Sequence, residues 1–318
     1  MNEPKPFASS ADTSEKQATL EQLADGVYAY TAEGDPNVGA IVGPEFVVAV
    51  DARSTPAHAR IWLDELRRLT DLPVRYLVLT HYHAVRALGA AAFEAEVVVS
   101  HENTRRWIAE RGSEDFESEL RRFPRLFRDV DGVPGLTVPD LTFSRALSFF
   151  LGDREVQLRW LGRGHTEGDA VVWLPQERAL FAGDLVEAGA APYMGDAFVG
   201  DWAGPTLDAL DELGAETIVP GRGPAVRGDA ATDAIASTRA FLTRLRDEVA
   251  AVLDRGGSVR EAFAAAHASL EPGYGGATIF EHCMPFNVRR MADELGGEAD
   301  PLVWTAERDA EVWAELHG

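Results

Sequence analysis

The sequence is short of cysteine, of positive charge and of long apolar runs. With a single cysteine, Cys283, in 318 residues, no intrachain disulfide can form and no cysteine-built zinc module is available. Cations are outnumbered, 30 Lys and Arg against 52 Asp and Glu, for a net charge of −22. Long-range repulsion at that charge excludes nucleic acid and anionic membrane surfaces as expected partners. A small-molecule substrate, which responds to the local field of a pocket, stays open. No stretch approaches the ~20 consecutive apolar residues of a membrane span, and residues 1–22 are polar and lack the apolar core of an export signal. The expected compartment is the cytoplasm. No repeat of fixed period is present, and oligomeric state is left open.

What is there suits a soluble globular protein. Hydrophobic residues make up 46% and charged residues 26%, and the length allows one substantial core or two smaller ones. Residues 1–22 read as a disordered or loosely packed arm. Short β-rich runs at 27–31, 39–42 and 46–50 follow, separated by Gly/Pro/Asp turns. Thr55 then Pro56 make a helix start, with Ile61, Trp62, Leu66 and Leu69 at helical spacing. A buried strand over 74–80 runs into His81-Tyr82-His83, and a short helix (85–95) and a strand (97–100) come next. Residues 103–150 scatter Trp107, Phe116, Leu120, Phe123, Phe127 and Phe149 among Arg and Glu. They read as a helical or irregular insertion, either a cap over the strand ends or a flank with its own small core. Strands resume at 155–160, 170–174, 179–182 and 217–219, and from about 231 the chain is helical, with a capping box at Ser258 and Glu261.

Four pieces carry chemistry. In His81-Tyr82-His83 the residues i and i+2 of an extended chain point the same way, so two imidazoles can meet at one point. A pair of partly exposed histidines satisfies the same pattern. Gly162-Arg163-Gly164-His165-Thr166-Glu167-Gly168-Asp169 lies between two strands, a tight turn that projects His165. Phe181-Ala182-Gly183-Asp184 ends an apolar strand on a carboxylate, and Val219-Pro220-Gly221-Arg222-Gly223-Pro224 is another strand running into a glycine turn.

Taken in order, T-H-x-H, G-H-T-x-G-D, A-G-D and V-P-G-x-G-P resemble the metallo-β-lactamase superfamily over roughly residues 24–230. Asp25-Gly26-Val27-Tyr28, Asn37 and Val48-Ala49-Val50-Asp51 also fit that family's opening strands. The resemblance implies an α/β (α+β) fold: a four-layer αββα sandwich over 23–230, with a helical insertion (103–150) and a helical C-terminal extension (231–318) packed on it. It also implies that His81, His83 and His165 hold one metal, with Asp184 beside it. Three imidazoles and a carboxylate suit zinc, with a position left for water. The family's second metal would need Asp at 85 and histidine at 86 and 222, where this chain has Val85, Arg86 and Arg222. The two arginines either neutralise Asp184 and fill the vacated space, or at least one faces the pocket and holds a carboxylate, a phosphate or a developing oxyanion.

The expected function is therefore that of a mononuclear zinc hydrolase acting on a small, possibly anionic substrate through a metal-held hydroxide. Asp184, Arg86 and Arg222 would serve the reaction, and Tyr193 and His282 would contact substrate. Two further readings stand beside it. One is a mononuclear iron oxygenase of the persulfide dioxygenase type, built on two of the histidines and Asp184. The other is a non-catalytic metal- or anion-binding protein.

Overall fold

The structure, a computed structural model, describes residues 6–317. The first five residues of the expected arm lie outside that range. The remainder of the arm is ordered into the fold: β1 (Thr19–Ala24) pairs antiparallel with β2 (Val27–Thr31), and Phe7 packs on Trp313 at 5.2 Å between ring centroids. The polar composition of 1–22 hides this because an edge strand buries little of itself.

β3 (Val38–Val42) and β4 (Val47–Val50) complete an antiparallel meander, and β5 (Val74–Val78) returns parallel to β4 after the helix α1 (Pro56–Arg67). Thr55 caps α1 by accepting from the His58 N–H, with Pro56 at its first turn. After β5 come the one-turn helix α2 (Ala84–Ala87), β6 (Val97–His101) and the long helix α3 (Glu102–Arg122). β7 (Leu141–Phe143) closes the first sheet, in the order β1 to β7. The second sheet holds β8 (Ala146–Leu151), β9 (Arg154–Trp160), β10 (Ala170–Leu174), β11 (Ala179–Gly183), β12 (Thr217–Pro220) and β13 (Val226–Arg227), also side by side in chain order. Residues 103–150 are thus of two kinds. α3 lies over the strand ends, whereas β7 and β8 are edge strands of the two sheets that sequence inspection had not separated from the insertion.

Alternation along the strands makes the layers. Val48 and Val50 point inward to meet Val172, Phe181 and Val219 of the second sheet, while Val47 and Ala49 face outward onto Trp62 and Leu66 of α1. On the far side Val171, Trp173, Leu180 and Ile218 pack under the C-terminal helices. The short helices α4 (Val199–Asp201) and α5 (Leu207–Asp211) precede these, which are α6 (Asp229–Leu253), α7 (Val259–Tyr274), α8 (Phe280–Leu295) and α9 (Ala306–His317). The capping box opens α7 as expected, Ser258 and Glu261 each bonding the other's backbone N–H. The sheets approach closely at Gly39, where a β-carbon would run into the Phe181 ring. Helix, sheet, sheet, helix is the four-layer order the motifs imply. Among the described residues no helix is long and apolar enough to cross a membrane.

Candidate metal centre

Strand ends and the loops after them converge at one edge of the sandwich. β5 delivers His81 and His83, the β9–β10 turn His165, β11 Asp184, and β12 Arg222. The three imidazoles form a triangle, with ring centroids 5.0 Å apart for His81 and His83, 4.6 Å for His81 and His165, and 4.7 Å for His83 and His165. One nitrogen of each lies within 4.8 Å of the others, and all three residues are buried.

Two of the three rings are aimed by a second group. His81 Nδ1 is 3.1 Å from Thr80 Oγ1, and that hydroxyl in turn donates to Asp51 Oδ2 at 2.8 Å. The other nitrogen, His81 Nε2, is buried without a partner. His83 Nε2 lies 3.0 Å from Asp196 Oδ2, which leaves Nδ1 for the triangle. His165 has no hydrogen-bond partner at either nitrogen, although Asp169 Oδ1 stands 3.5 Å from Nδ1. Burial, opposed by the Asp184 charge, holds His81 well below the usual imidazole range, so the ring is neutral and offers a lone pair. Orphaned, converging imidazole nitrogens are costly unless something else binds them. This donor set fits a dication such as zinc.

Asp184 stands off the triangle, with Oδ2 3.8 Å from both His81 Nε2 and His165 Nε2. Its oxygens are engaged by the two arginines, Oδ1 by Arg86 Nη2 and Oδ2 by Arg222 Nη1 at 3.0 Å. Burial pushes this carboxyl up, but Arg86, Arg222 and the histidines outweigh it and hold it well below the usual carboxylate range. The arginines differ in where the rest of each fork goes. Arg86 is 1% exposed and also donates to Asp51 Oδ2 (2.9 Å), the Asn37 carbonyl (2.8 Å) and the Gly221 carbonyl (2.7 Å). Arg222 reaches toward Glu187, whose Oε1 is 3.5 Å from Nη1, and borders the cavity next to the histidines.

That cavity leaves only about 10 Å³ for the centre of a water molecule, roughly one water. Its wall includes His83, His165, Asp184 and Arg222, together with Tyr193, Cys283 and three residues that motif reading passed over: Glu119, Arg122 and Ile279. Tyr193 is half-buried, 5.8 Å from the His83 ring, its hydroxyl 3.3 Å from Arg122 Nη1. His282 does not reach this space and stacks on Phe123, 4.0 Å between centroids. Val85 packs among Ala84, Phe123, Leu126 and Phe127, so no carboxylate comes from that position. Instead Asp115 and Glu119 of α3 accept from the Ala84 and Val85 N–H groups, at 2.6 and 2.8 Å. The signal for this lay in α3 itself. Its buried stripe runs through Thr104, Trp107 and Ile108 and turns charged at Asp115, Glu119 and Arg122 without leaving the face.

The chain resembles known proteins over this region. Two curated relatives, both named metallo-beta-lactamase type 2, come from Elizabethkingia meningoseptica and Bacteroides fragilis. The first is 24% identical over 196 residues, 58% of this chain and 70% of that protein. The second is 26% identical over 218 residues, 64% of this chain and 79% of that protein. Among solved structures, a metallo-beta-lactamase from Pontibacter korlensis aligns with a TM-score of 0.57 at 22% identity, over 71% of this chain and 99% of that one. The stereoselective inverting sec-alkylsulfatase Pisa1 from Pseudomonas sp. aligns at 0.64 and 17% identity, over 87% of this chain and 50% of that one. The family model of the Metallo-beta-lactamase superfamily matches residues 31–222, a span that holds the three histidines, Asp184 and both arginines, and the chain belongs to that superfamily.

Proposed function

We propose that the protein is a mononuclear metal-dependent hydrolase, with zinc the fitting ion, acting on a small-molecule substrate. The observation that carries this is the triangle of buried histidines with unpartnered nitrogens, beside a second position occupied by Arg86. His81, His83 and His165 would hold the ion. When bound, it supplies Lewis acidity and lowers the pKa of a coordinated water.

The chain's own residues do the rest. Thr80 and Asp196 fix the His81 and His83 rings, and such outer partners set both tautomer and orientation. Asp184 stays ionised between its arginines and faces the histidines without taking up a proton near neutral pH. Arg86, held through both terminal nitrogens by two carboxylates and two carbonyls, supplies charge where the family's second metal would sit and leaves no room for one. Arg222 borders the cavity next to the histidines and is a cation that can meet a substrate oxyanion there. Glu119 lines the same cavity, and burial raises its carboxyl above the usual range, which suits it to hold and return a proton where Val85 cannot. Three histidines at the centre, with Asp184 committed to guanidinium groups, favour the hydrolase over an oxygenase that needs that carboxylate for iron.

The test is metal content per chain by mass spectrometry, on protein purified without an affinity metal, with His83→Ala and His165→Ala alongside. About one zinc per chain, lost in both variants, is the expected result. Two metals per chain, or iron at that level, would overturn it.

A further inference from the structure

The space beside the histidines is too small for a substrate, so part of its wall must give way. Two wall residues, Phe123 and Ile279, have a second cavity on their other side, one of about 290 Å³. This outer cavity lies between the end of α3, the start of α8 and the chain around residues 8–16. Apolar surface from Phe123, Leu126, Ala277 and Phe280 lines much of it.

His282 also lines it. The side chain is 1% exposed, and neither Nδ1 nor Nε2 has a hydrogen-bond partner. Its ring is held flat against Phe123 and is not tied to any backbone group. A buried imidazole in that state loses hydrogen bonding to water unless a ligand restores it. The charged groups around the cavity point to the kind of ligand. Arg125 is paired with Asp12 at 3.0 Å and Asp35 at 2.5 Å, Lys16 with Asp12 at 3.4 Å, and Glu281 with His267 at 2.9 Å. Exposed Glu33 adds negative charge at the rim. The cations are engaged, so a carboxylate or phosphate gains little here, whereas an uncharged group loses nothing.

Ile279 adds a mechanical clue. A β-branched residue at φ +58° is strained, and it stands directly at the wall between the two spaces. Gly273, Gly275 and Gly276 shortly precede it, and at Gly273 and Gly276 a β-carbon would meet no neighbour.

We propose that the outer cavity seats the uncharged, mainly apolar arm of the substrate, with His282 hydrogen-bonding its polar group, and that the Phe123–Ile279 wall parts to pass the scissile end inward. The proposal rests on the hydrolase reading for what happens beyond the wall, but seating in the outer cavity does not depend on metal.

The test separates the two. Hexanamide, a neutral probe, is titrated calorimetrically into metal-free and zinc-loaded protein, with hexanoate as its anionic counterpart. Hexanamide is expected to bind both forms alike and at least tenfold tighter than hexanoate. His282→Phe, which keeps the ring stack, should weaken it fivefold or more. Ala277→Trp, which fills the cavity from its half-exposed rim, should abolish binding while circular dichroism stays unchanged. No binding to the wild type, equal binding to His282→Phe, or preference for hexanoate would each overturn the proposal. Hydrolysis of p-nitrophenyl hexanoate over p-nitrophenyl acetate by the zinc form is then measured separately. Binding without any ester turnover would leave the cavity assignment standing and count against the hydrolase reading.

Discussion

Removing Arg86 tests the idea that a guanidinium has taken over the electrostatic work of a metal. Arg86→Ala deletes the shared cation of two buried carboxylates, Asp51 and Asp184, along with donors to the Asn37 and Gly221 carbonyls. Breaking one side of a buried ion pair costs about 3–5 kcal/mol, because the partner charge is left uncompensated. At a urea dependence of about 3 kcal/mol per molar, the top of the usual range, the unfolding midpoint should fall by about 1–2 M. Metal-free protein is required, since a bound ion would stabilise both proteins by mass action and mask the difference. The pH dependence supplies the sign. In the wild type Asp184 is held well below the unfolded range, so its contribution is full at neutral pH and is lost as pH falls through its folded pKa. Without Arg86 the burial that already raises the Asp51 carboxyl loses its main opposing charge, so that carboxyl favours the protonated form on folding. The deficit of Arg86→Ala should therefore shrink between pH 7 and pH 4. Arg86→Lys keeps the charge without the fork and should recover only part of the loss. A variant within ~1 kcal/mol of wild type, or a deficit that grows on acidification, would refute the reasoning.

Two other outcomes follow from the same geometry. Asp196→Ala removes no member of the histidine triangle but frees His83 Nε2, so zinc affinity measured by competition with a chelator should fall about 10–100-fold; unchanged affinity would mean the contact does not orient the ring. Gly39→Ala drives a β-carbon into Phe181 between the sheets, and overpacking of that kind costs about 1–3 kcal/mol in denaturant unfolding, with little change in the slope.

Much of the centre was legible because the relevant geometry is local. Two-residue periodicity places His81 and His83 on one side of the chain whatever they face, a glycine turn projects His165, and the 55–67 helix and its cap follow from Thr55 and Pro56. Residues 141–143 were not legible as a strand, because their partner β6 lies before α3 and the pairing exists only once the sheet does; β8, by contrast, forms a hairpin with β9 across Gly152-Asp153, a local turn that the reading of 103–150 as one insertion passed over.

The sequence alone determined which ligand types are present, and its resemblance to the family is what matches Arg86 and Arg222 to the positions of a second metal's histidines. Only the tertiary structure decided what each arginine does. Arg86 is locked between Asp51 and Asp184, separated from it by 35 and 98 residues, while Arg222 is left beside the cavity. The same holds for Asp196 behind His83, 113 residues away, for Glu119 arriving from α3, and for the outer cavity that joins α3, α8 and the N-terminal segment. Hydrogen bonding and burial at such separations depend on how layers pack, and a one-dimensional pattern carries no record of which side chain ends up facing which.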